Sequence, residues 1–520
     1  MDVPAAQQRL IDALLGAGRF ELVETHISWL LLDRTHVYKI KKALDLGFLD
    51  HTTLAARQHA CAEELRLNRR TAPDLYQAVL PIGGTSEHPK IGAQPAIEYA
   101  VQMQRFPGGQ LFDELLTRDA LLPQHIDALA QRVALFHAGL PRAAADGAYG
   151  TPPAIHHATW QNFAQLRELL PPSEATRLVA LEKEMAAEYA RCEPVFAQRL
   201  AQGQVRECHG DLHLGNVTLL DDAPLPFDAI EFAPALRWID VIDEVAFTMM
   251  DLLYRGRSDY AWRYLNAWLE VCGDYAGVRV LRFYLAYRAM VRAKVAAIRA
   301  AQQQGAARSA GWRTCRDYLR LAASCLSRPR AALVITHGLP GSGKTTCAQY
   351  LLQQLGAVRI RSDVERKRLH GLEALASSRA AGVDLYAADA TARTYACLRD
   401  LAEMLLQAGY TVVVDAAFLK QSEREEFQRL AERCRTPFVI ASLAASPDTL
   451  RERLRQRRGD ASEADISVLE KLVAVQQPLQ AHEAARSVTF STVEPPDAPV
   501  NVCAWERLHS VLAGKAAEPR

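Results

Sequence analysis

One stretch of eight residues constrains this chain more than any other. Gly338-Leu339-Pro340-Gly341-Ser342-Gly343-Lys344-Thr345 matches G-x-x-x-x-G-K-[ST] in full, and Thr346 follows it. The glycines let backbone N–H groups turn toward phosphate oxygens with no Cβ in the way. Lys344 is placed to bridge the β- and γ-phosphates, and the Thr345 hydroxyl to ligate Mg2+. The motif works between a strand and a helix, whose positive dipole end meets the anion. The apolar run AALVITHG before it and the helical pattern after it supply that context. This part of the chain should therefore be a parallel α/β sheet that binds a nucleoside triphosphate, ATP or GTP, with Mg2+. The later runs AVRIRSD, TVVVDAAF and PFVIASLAA alternate with helical patterns and read as further strands with helices on both faces.

Ligands of such sheets bind at the C-terminal ends of the strands. Asp363 follows the second predicted strand and Asp415 the third. One carboxylate could hold Mg2+ through water and the other could orient an acceptor hydroxyl, although either could instead cap the next helix. Arg451, Arg453, Arg455, Arg457 and Arg458 crowd one segment. A solvated basic helix would look the same, but transfer without loss to water needs a lid, and mobile arginines such as Arg453 and Arg457 can neutralise the migrating charge.

A second constellation lies upstream. Cys208-His209-Gly210-Asp211-Leu212-His213-Leu214-Gly215-Asn216 contains H-x-D-x-x-x-x-N, the spacing of a kinase catalytic loop. Asp211 would accept or orient the acceptor's hydroxyl proton, and Asn216 and Asp228 would hold the metal that bridges the phosphates. The stretch VTLLDDAPLPFDAI between them should form a hairpin that returns Asp228 to the site, and His209 should brace the loop. Such a site also needs a lysine with a carboxylate partner. Lys39 and Lys41 are two apart on a predicted strand and share a face, with Lys39 preferred. Glu64 is the first candidate partner and Glu63 the second. The loop expected to cover the phosphates, Glu24 to Trp29, carries no glycine.

A chain of 520 residues exceeds one ordinary core and implies two or three domains. Ser327-Arg328-Pro329-Arg330 interrupts helical periodicity, which places one domain at 1–326, a linker at 327–330 and a second domain at 331–520. Lys+Arg 61 against Asp+Glu 60 creates no global field that invites nucleic acid or an anionic membrane. No apolar window is long enough to cross a bilayer, the N-terminus reads as a short amphipathic helix rather than a signal peptide, and ten scattered cysteines fit a reducing cytoplasm. Cys208, Cys347 and the Met249-Met250 pair read as packing residues, and His137 as a core histidine. Arg288 and Arg292 share a helix face with Lys294 nearby, and this reads as a solvated face rather than a receptor for an acidic acceptor.

HGDLHLGN with FDAIEF, and the order lysine, glutamate, catalytic loop, metal aspartate, resembles the aminoglycoside phosphotransferases and the related choline and homoserine kinases over roughly residues 20–320. The resemblance implies a bilobal protein-kinase-like fold and an aspartate, here Asp240 or Asp243, that braces the catalytic loop. GLPGSGKTT, RSDVERKRL, VVVDAAFLKQSER and the arginine-rich segment resemble the small P-loop kinases of the zeta-toxin, polynucleotide 5′-hydroxyl kinase and gluconate kinase group over roughly residues 331–495. That resemblance implies that Asp363 contacts the acceptor, with Arg366 and Arg424 near the substrate. The fold class expected is thus α/β and α+β, multidomain: a kinase-like unit followed by a P-loop unit. The expected activity is transfer of a γ-phosphoryl group to a hydroxyl of a small molecule or nucleotide. Two other readings are a P-loop kinase regulated by a non-catalytic first unit, and a polynucleotide end kinase, against which the near-zero charge argues.

Overall fold

A computed structural model of the chain describes all residues except 1–3, 17, 48, 379, 383, 386, 457–460, 493–498 and 514–520. The described chain divides into two compact units, residues 1–251 with 283–322, and residues 252–282 with 323–520.

Among the described residues, the first unit opens on a six-stranded antiparallel sheet. Its order is Glu21–Glu24, Ser28–Leu32, His36–Lys41, Ala96–Gln104, Tyr76–Gly84, Pro89–Ile91. Strand alternation decides what each face carries. Tyr38 and Ile40 join Trp29, Leu31 and Ile82 on one face, covered by Leu10, Ile11 and Leu14 of the helix Ala5–Gly16. Val37 joins Cys61, Tyr76, Val101 and Met103 on the other, where the helix Leu54–Asn68 packs. Lys39 and Lys41 are in phase with Val37, so they meet that helix. Thr53 caps it by accepting from the Ala56 amide at 3.1 Å. The rest of this unit is mainly helical, interrupted by the hairpin Val217–Leu220 with Ala223–Pro226. Asp221 and Asp222 at its tip both have positive φ, as a two-residue hairpin turn requires.

Among the described residues, the second unit is built on a five-stranded sheet, parallel throughout. Its order is Val358–Arg361, Val412–Asp415, Leu333–His337, Phe438–Ala444, Ser487–Ser491. The sequence assigned residues 252–282 to the first domain, but they fold with this sheet. The helix Ser258–Cys272 runs beside the edge strand Val358–Arg361. Trp262 packs on the core that contains Val334, Leu351, Leu352 and Val413. Asn266 accepts from the Arg359 amide at 2.6 Å and donates to the Ala357 carbonyl at 2.9 Å. Its side-chain amide thereby pairs edge groups that have no neighbouring strand, which is the physical reason the segment belongs here.

Candidate active sites

The P-loop site is assembled from three strand ends. Leu333–His337 delivers the chain to Gly338, and the helix Lys344–Leu355 begins directly after Gly343. Gly343 has φ 92°, and a Cβ there would lie 2.7 Å from Thr492 Cγ2, so the turn tolerates no side chain. Lys344 Nζ donates to the Leu339 carbonyl at 2.9 Å, folded back over the loop. Asp415 ends the neighbouring strand, is buried, and hydrogen-bonds the Thr345 side chain. Burial pushes its carboxyl up from the ordinary value, against the pull of Arg361, Arg359 and Lys344. The hydroxyl and carboxylate are hard oxygen donors side by side, a fit for a small divalent cation. Asp363 stands in the first turn of the helix Ser362–Leu369, its Oδ1 3.5 Å from Arg366. A cavity of about 1370 Å³ is lined by Lys344, Thr345, Asp363, Arg366, Asp415 and Arg453. That is more than one small ligand fills, and gives room for a nucleotide and an acceptor together.

The arginine expectations resolve differently. Arg453 stands on the cavity wall, donating to the Gly341 carbonyl at 3.3 Å and to Thr492 at 2.7 and 3.0 Å. Arg457 and Arg458 lie outside the described residues. Arg424, expected near the substrate, is fully buried and pairs with Glu483 at 2.7 and 3.0 Å while donating to the carbonyls of Phe418, Leu419, Gln477 and Pro478. It sits in the first turn of the helix Gln421–Arg433 and turns inward to saturate loop carbonyls, a structural task. Sequence reasoning missed Glu463, which accepts from the Ser378 amide and hydroxyl at 2.9 and 2.7 Å and pairs with buried Lys367 at 3.0 Å.

In the first unit, Lys39 Nζ lies 2.8 Å from Glu64 and 2.5 Å from Asp228. Lys41 Nζ lies 2.5 Å from the other Glu64 oxygen and also pairs with Glu231. Glu63, the second choice of partner, pairs instead with Arg66 and Arg237. Burial pulls the Lys39 ammonium down, but Asp228 and Glu64 outweigh it and raise it well above its ordinary value. Lys39 is thus locked as a cation beside Asp228, the position a phosphate-binding lysine needs. Asp228 has φ 63°, a strained conformation for a residue with a side chain. Its amide donates to the buried Tyr76 hydroxyl at 3.1 Å, and the Ala229 amide donates to Asn68 at 2.8 Å, which hold that conformation.

The catalytic-type loop is braced from beneath. Asn216 Nδ2 donates to the Asp211 carboxylate and to its carbonyl, both at 3.0 Å. This leaves the Asn216 amide oxygen, with the Asp228 carboxylate, as hard donors suited to a divalent cation. His209 Nε2 is 2.8 Å from the Phe227 carbonyl, while its Nδ1 accepts from the Asp211 amide at 3.3 Å. That network fits a neutral ring, in line with burial lowering its pKa. Glu244 accepts from the His209 and Gly210 amides at 2.6 and 2.8 Å, and its second oxygen is 2.8 Å from His137 Nε2. Thr248 donates to the Leu212 carbonyl at 2.7 Å, and Asp251 accepts from the Leu214 amide at 3.0 Å.

The brace therefore corrects the expectation for Asp240 and Asp243. Asp240 pairs with Arg199 and Asp243 with Arg288, whereas Glu244 holds the loop. A signal was present: Glu244, Thr248 and Asp251 are polar at i, i+4, i+7 and share one face of the mostly apolar helix Val241–Tyr254. Arg288, read as solvated, is buried and also donates to the Gly210 carbonyl at 3.2 Å. The turn at Glu24–Trp29 is a tight hairpin, with the Thr25 amide donating to the Ser28 carbonyl and the Ser28 amide to the Thr25 hydroxyl.

The brace predicts a pH dependence. Burial pushes the Glu244 carboxyl up, but hydrogen bonds from His137 and the loop amides win and hold it at about 2. Its unfolded value is roughly 4.3, so the brace contributes on the order of 3 kcal/mol above that pH, lost as pH falls toward 2. Denaturant midpoints measured between pH 6 and 3 should fall in the wild type and fall less steeply in Glu244→Gln. Parallel curves would show that the carboxylate contributes no such stability.

Residues 333–479 match the family model described as an AAA domain. Uncharacterised proteins of Mycobacterium tuberculosis and Mycobacterium bovis are each 29% identical over 461 residues, covering 87% of this chain and 89% of theirs. Among solved structures, Kti12 of Chaetomium thermophilum in complex with ADP-AlF3 is similar over 35% of this chain and 100% of its own, at 21% identity and TM-score 0.28. A choline/ethanolamine kinase family protein from Mesorhizobium loti is similar over 62% of this chain and 97% of its own, at 12% identity and TM-score 0.37. Among the described residues, no helix is long and apolar enough to cross a membrane. The chain joins two compact units, the second a P-loop α/β unit whose residues 333–479 match the AAA domain family.

Proposed function

We propose that the chain is an ATP-dependent phosphotransferase with two kinase-type sites, each transferring a γ-phosphoryl group to a hydroxyl of a small molecule or nucleotide. The observation that carries this reading is the single cavity holding Lys344, Thr345 and Asp415 together with Asp363. The first three suit the phosphate end of a nucleotide, and Asp363 suits the acceptor. Mg2+, when bound by Thr345 and Asp415, would supply positive charge to the phosphates. Lys344 would leave the Leu339 carbonyl to meet the γ-phosphate, and Asp363 would orient the acceptor hydroxyl and take its proton. In the first unit, Lys39 would hold the phosphates, Asn216 and Asp228 would hold Mg2+, and Asp211 would take the acceptor's proton. Both sites work by positioning and charge neutralisation, with no covalent intermediate.

A second reading gives the first unit a sensing role. The hairpin at Glu24–Trp29 favours it, because amides that would otherwise cover phosphates are already hydrogen-bonded within the turn. The test is γ-phosphate consumption from ATP or GTP with a metabolite extract, for wild type, Asp211→Ala and Lys344→Ala. Loss of a different product in each variant supports two reactions. Loss in Lys344→Ala alone makes the first unit a sensor. Transfer that survives both changes would sink the assignment of both sites.

A further inference from the structure

Glu270 stands about 70 residues upstream of the P-loop, in a helix that none of the phosphate-binding motifs includes. Its carboxylate is largely buried and pairs with Arg359 and, at 3.1 Å, with Arg361. Arg361 Nε is in turn 3.7 Å from Asp415 Oδ2, and Asp415 hydrogen-bonds the Thr345 side chain. A line of alternating charge thus runs from Glu270 through Arg361 to the oxygen pair of the P-loop site.

We propose that Glu270 is a positioning residue of the P-loop site, holding Arg359 and Arg361 so that the Asp415 carboxylate stays aligned with Thr345, and thereby setting the affinity for the divalent cation that accompanies the nucleotide. The inference rests on the reading in which Thr345 and Asp415 receive that cation. The physical reason is charge balance in a buried space. Lys344, Arg359 and Arg361 place three cations around Asp415. Glu270 neutralises one of them and competes for Arg361. Without it, the Arg361 guanidinium is drawn toward Asp415 and competes for the oxygens a cation would use. Asn266, one turn earlier on the same helix, provides the control, because it ties the helix to the edge strand through backbone groups alone.

The experiment uses the full chain and a fluorescent ATP analogue, titrated with Mg2+. Only the component of binding that Lys344→Ala removes is followed, which separates this site from the other. Glu270→Gln is expected to raise the Mg2+ half-saturation roughly tenfold while nucleotide affinity without Mg2+ stays within about twofold. Arg361→Lys, which loses the fork that spans two carboxylates, should shift it in the same direction and decides the matter if Glu270→Gln does not fold. Asn266→Ala should lower the melting temperature and leave the Mg2+ dependence unchanged. Unchanged half-saturation in Glu270→Gln and Arg361→Lys, or an equal shift in Asn266→Ala, overturns the proposal. If the wild-type component shows no Mg2+ dependence at all, the reading of Thr345 and Asp415 fails first, and this inference fails with it.

Discussion

Replacing Asp211 by asparagine should lower phosphoryl transfer by the first unit about 10²- to 10⁴-fold, with ATP affinity nearly unchanged. The substitution keeps the shape of the side chain and removes the group that takes the proton. Asn216 Nδ2 now donates to the Asp211 carboxylate at 3.0 Å, and an amide oxygen can still accept from it. The loop itself is held by Glu244, Thr248 and Asp251 through its backbone amides and a carbonyl, so its geometry should survive. Single-turnover transfer measured beside equilibrium ATP binding separates the two effects. A drop in affinity as large as the drop in rate would mean that Asp211 positions nucleotide rather than acceptor. An unchanged rate would show that Asp211 does not take the acceptor's proton.

A chain that begins at Ala331 should fail to fold as a stable monomer, although it contains every strand of the parallel sheet and the whole P-loop. It lacks the helix Ser258–Cys272. Arg359, buried in the sheet edge, would lose Glu270, and stranding one member of a buried pair costs about 3–5 kcal/mol. The Arg359 amide and Ala357 carbonyl would lose Asn266, and the apolar surface under Trp262 would open to water. Together these losses are on the order of 5–10 kcal/mol, comparable with the whole stability of a domain. Joining residues 252–282 to 323–520 through a short Gly/Ser linker should restore cooperative unfolding. Calorimetry on the two chains checks this, and a sharp native-like transition in the shorter chain would refute it.

These two predictions show where the sequence was legible. The P-loop and the Asp211 loop could be read because their chemistry demands several residue types at fixed local spacing. Lys39 and Glu64 were legible for a different reason, since strand alternation placed Lys39 and Lys41 on one face and a helix followed. Both lysines in fact meet Glu64, one on each oxygen. The home of residues 252–282 was not legible. Helical periodicity reports that a face is buried, not which sheet buries it, and Asn266 as a partner for a strand edge leaves no local pattern. The brace at Glu244 was misread by one residue for a related reason. Asp240, Asp243 and Glu244 are acidic neighbours on one segment, and only their partners Arg199, Arg288 and the loop amides distinguish them. Arg424 likewise carries the residue type of a phosphate ligand and spends it on backbone carbonyls.

The split composition of the second unit also has a consequence for biosynthesis. The helix Ser258–Cys272 leaves the ribosome about 90 residues before the edge strand it covers, a delay of roughly 4–18 s at ordinary translation rates. Throughout that interval Trp262 has no sheet to pack on and Glu270 has no arginine. The nascent chain must carry this segment uncommitted while the helices after it emerge, and the parallel sheet can close only around a piece made long before it. Slow codons or a chaperone acting between residues 283 and 360 would therefore change the yield of active P-loop sites without altering one amino acid.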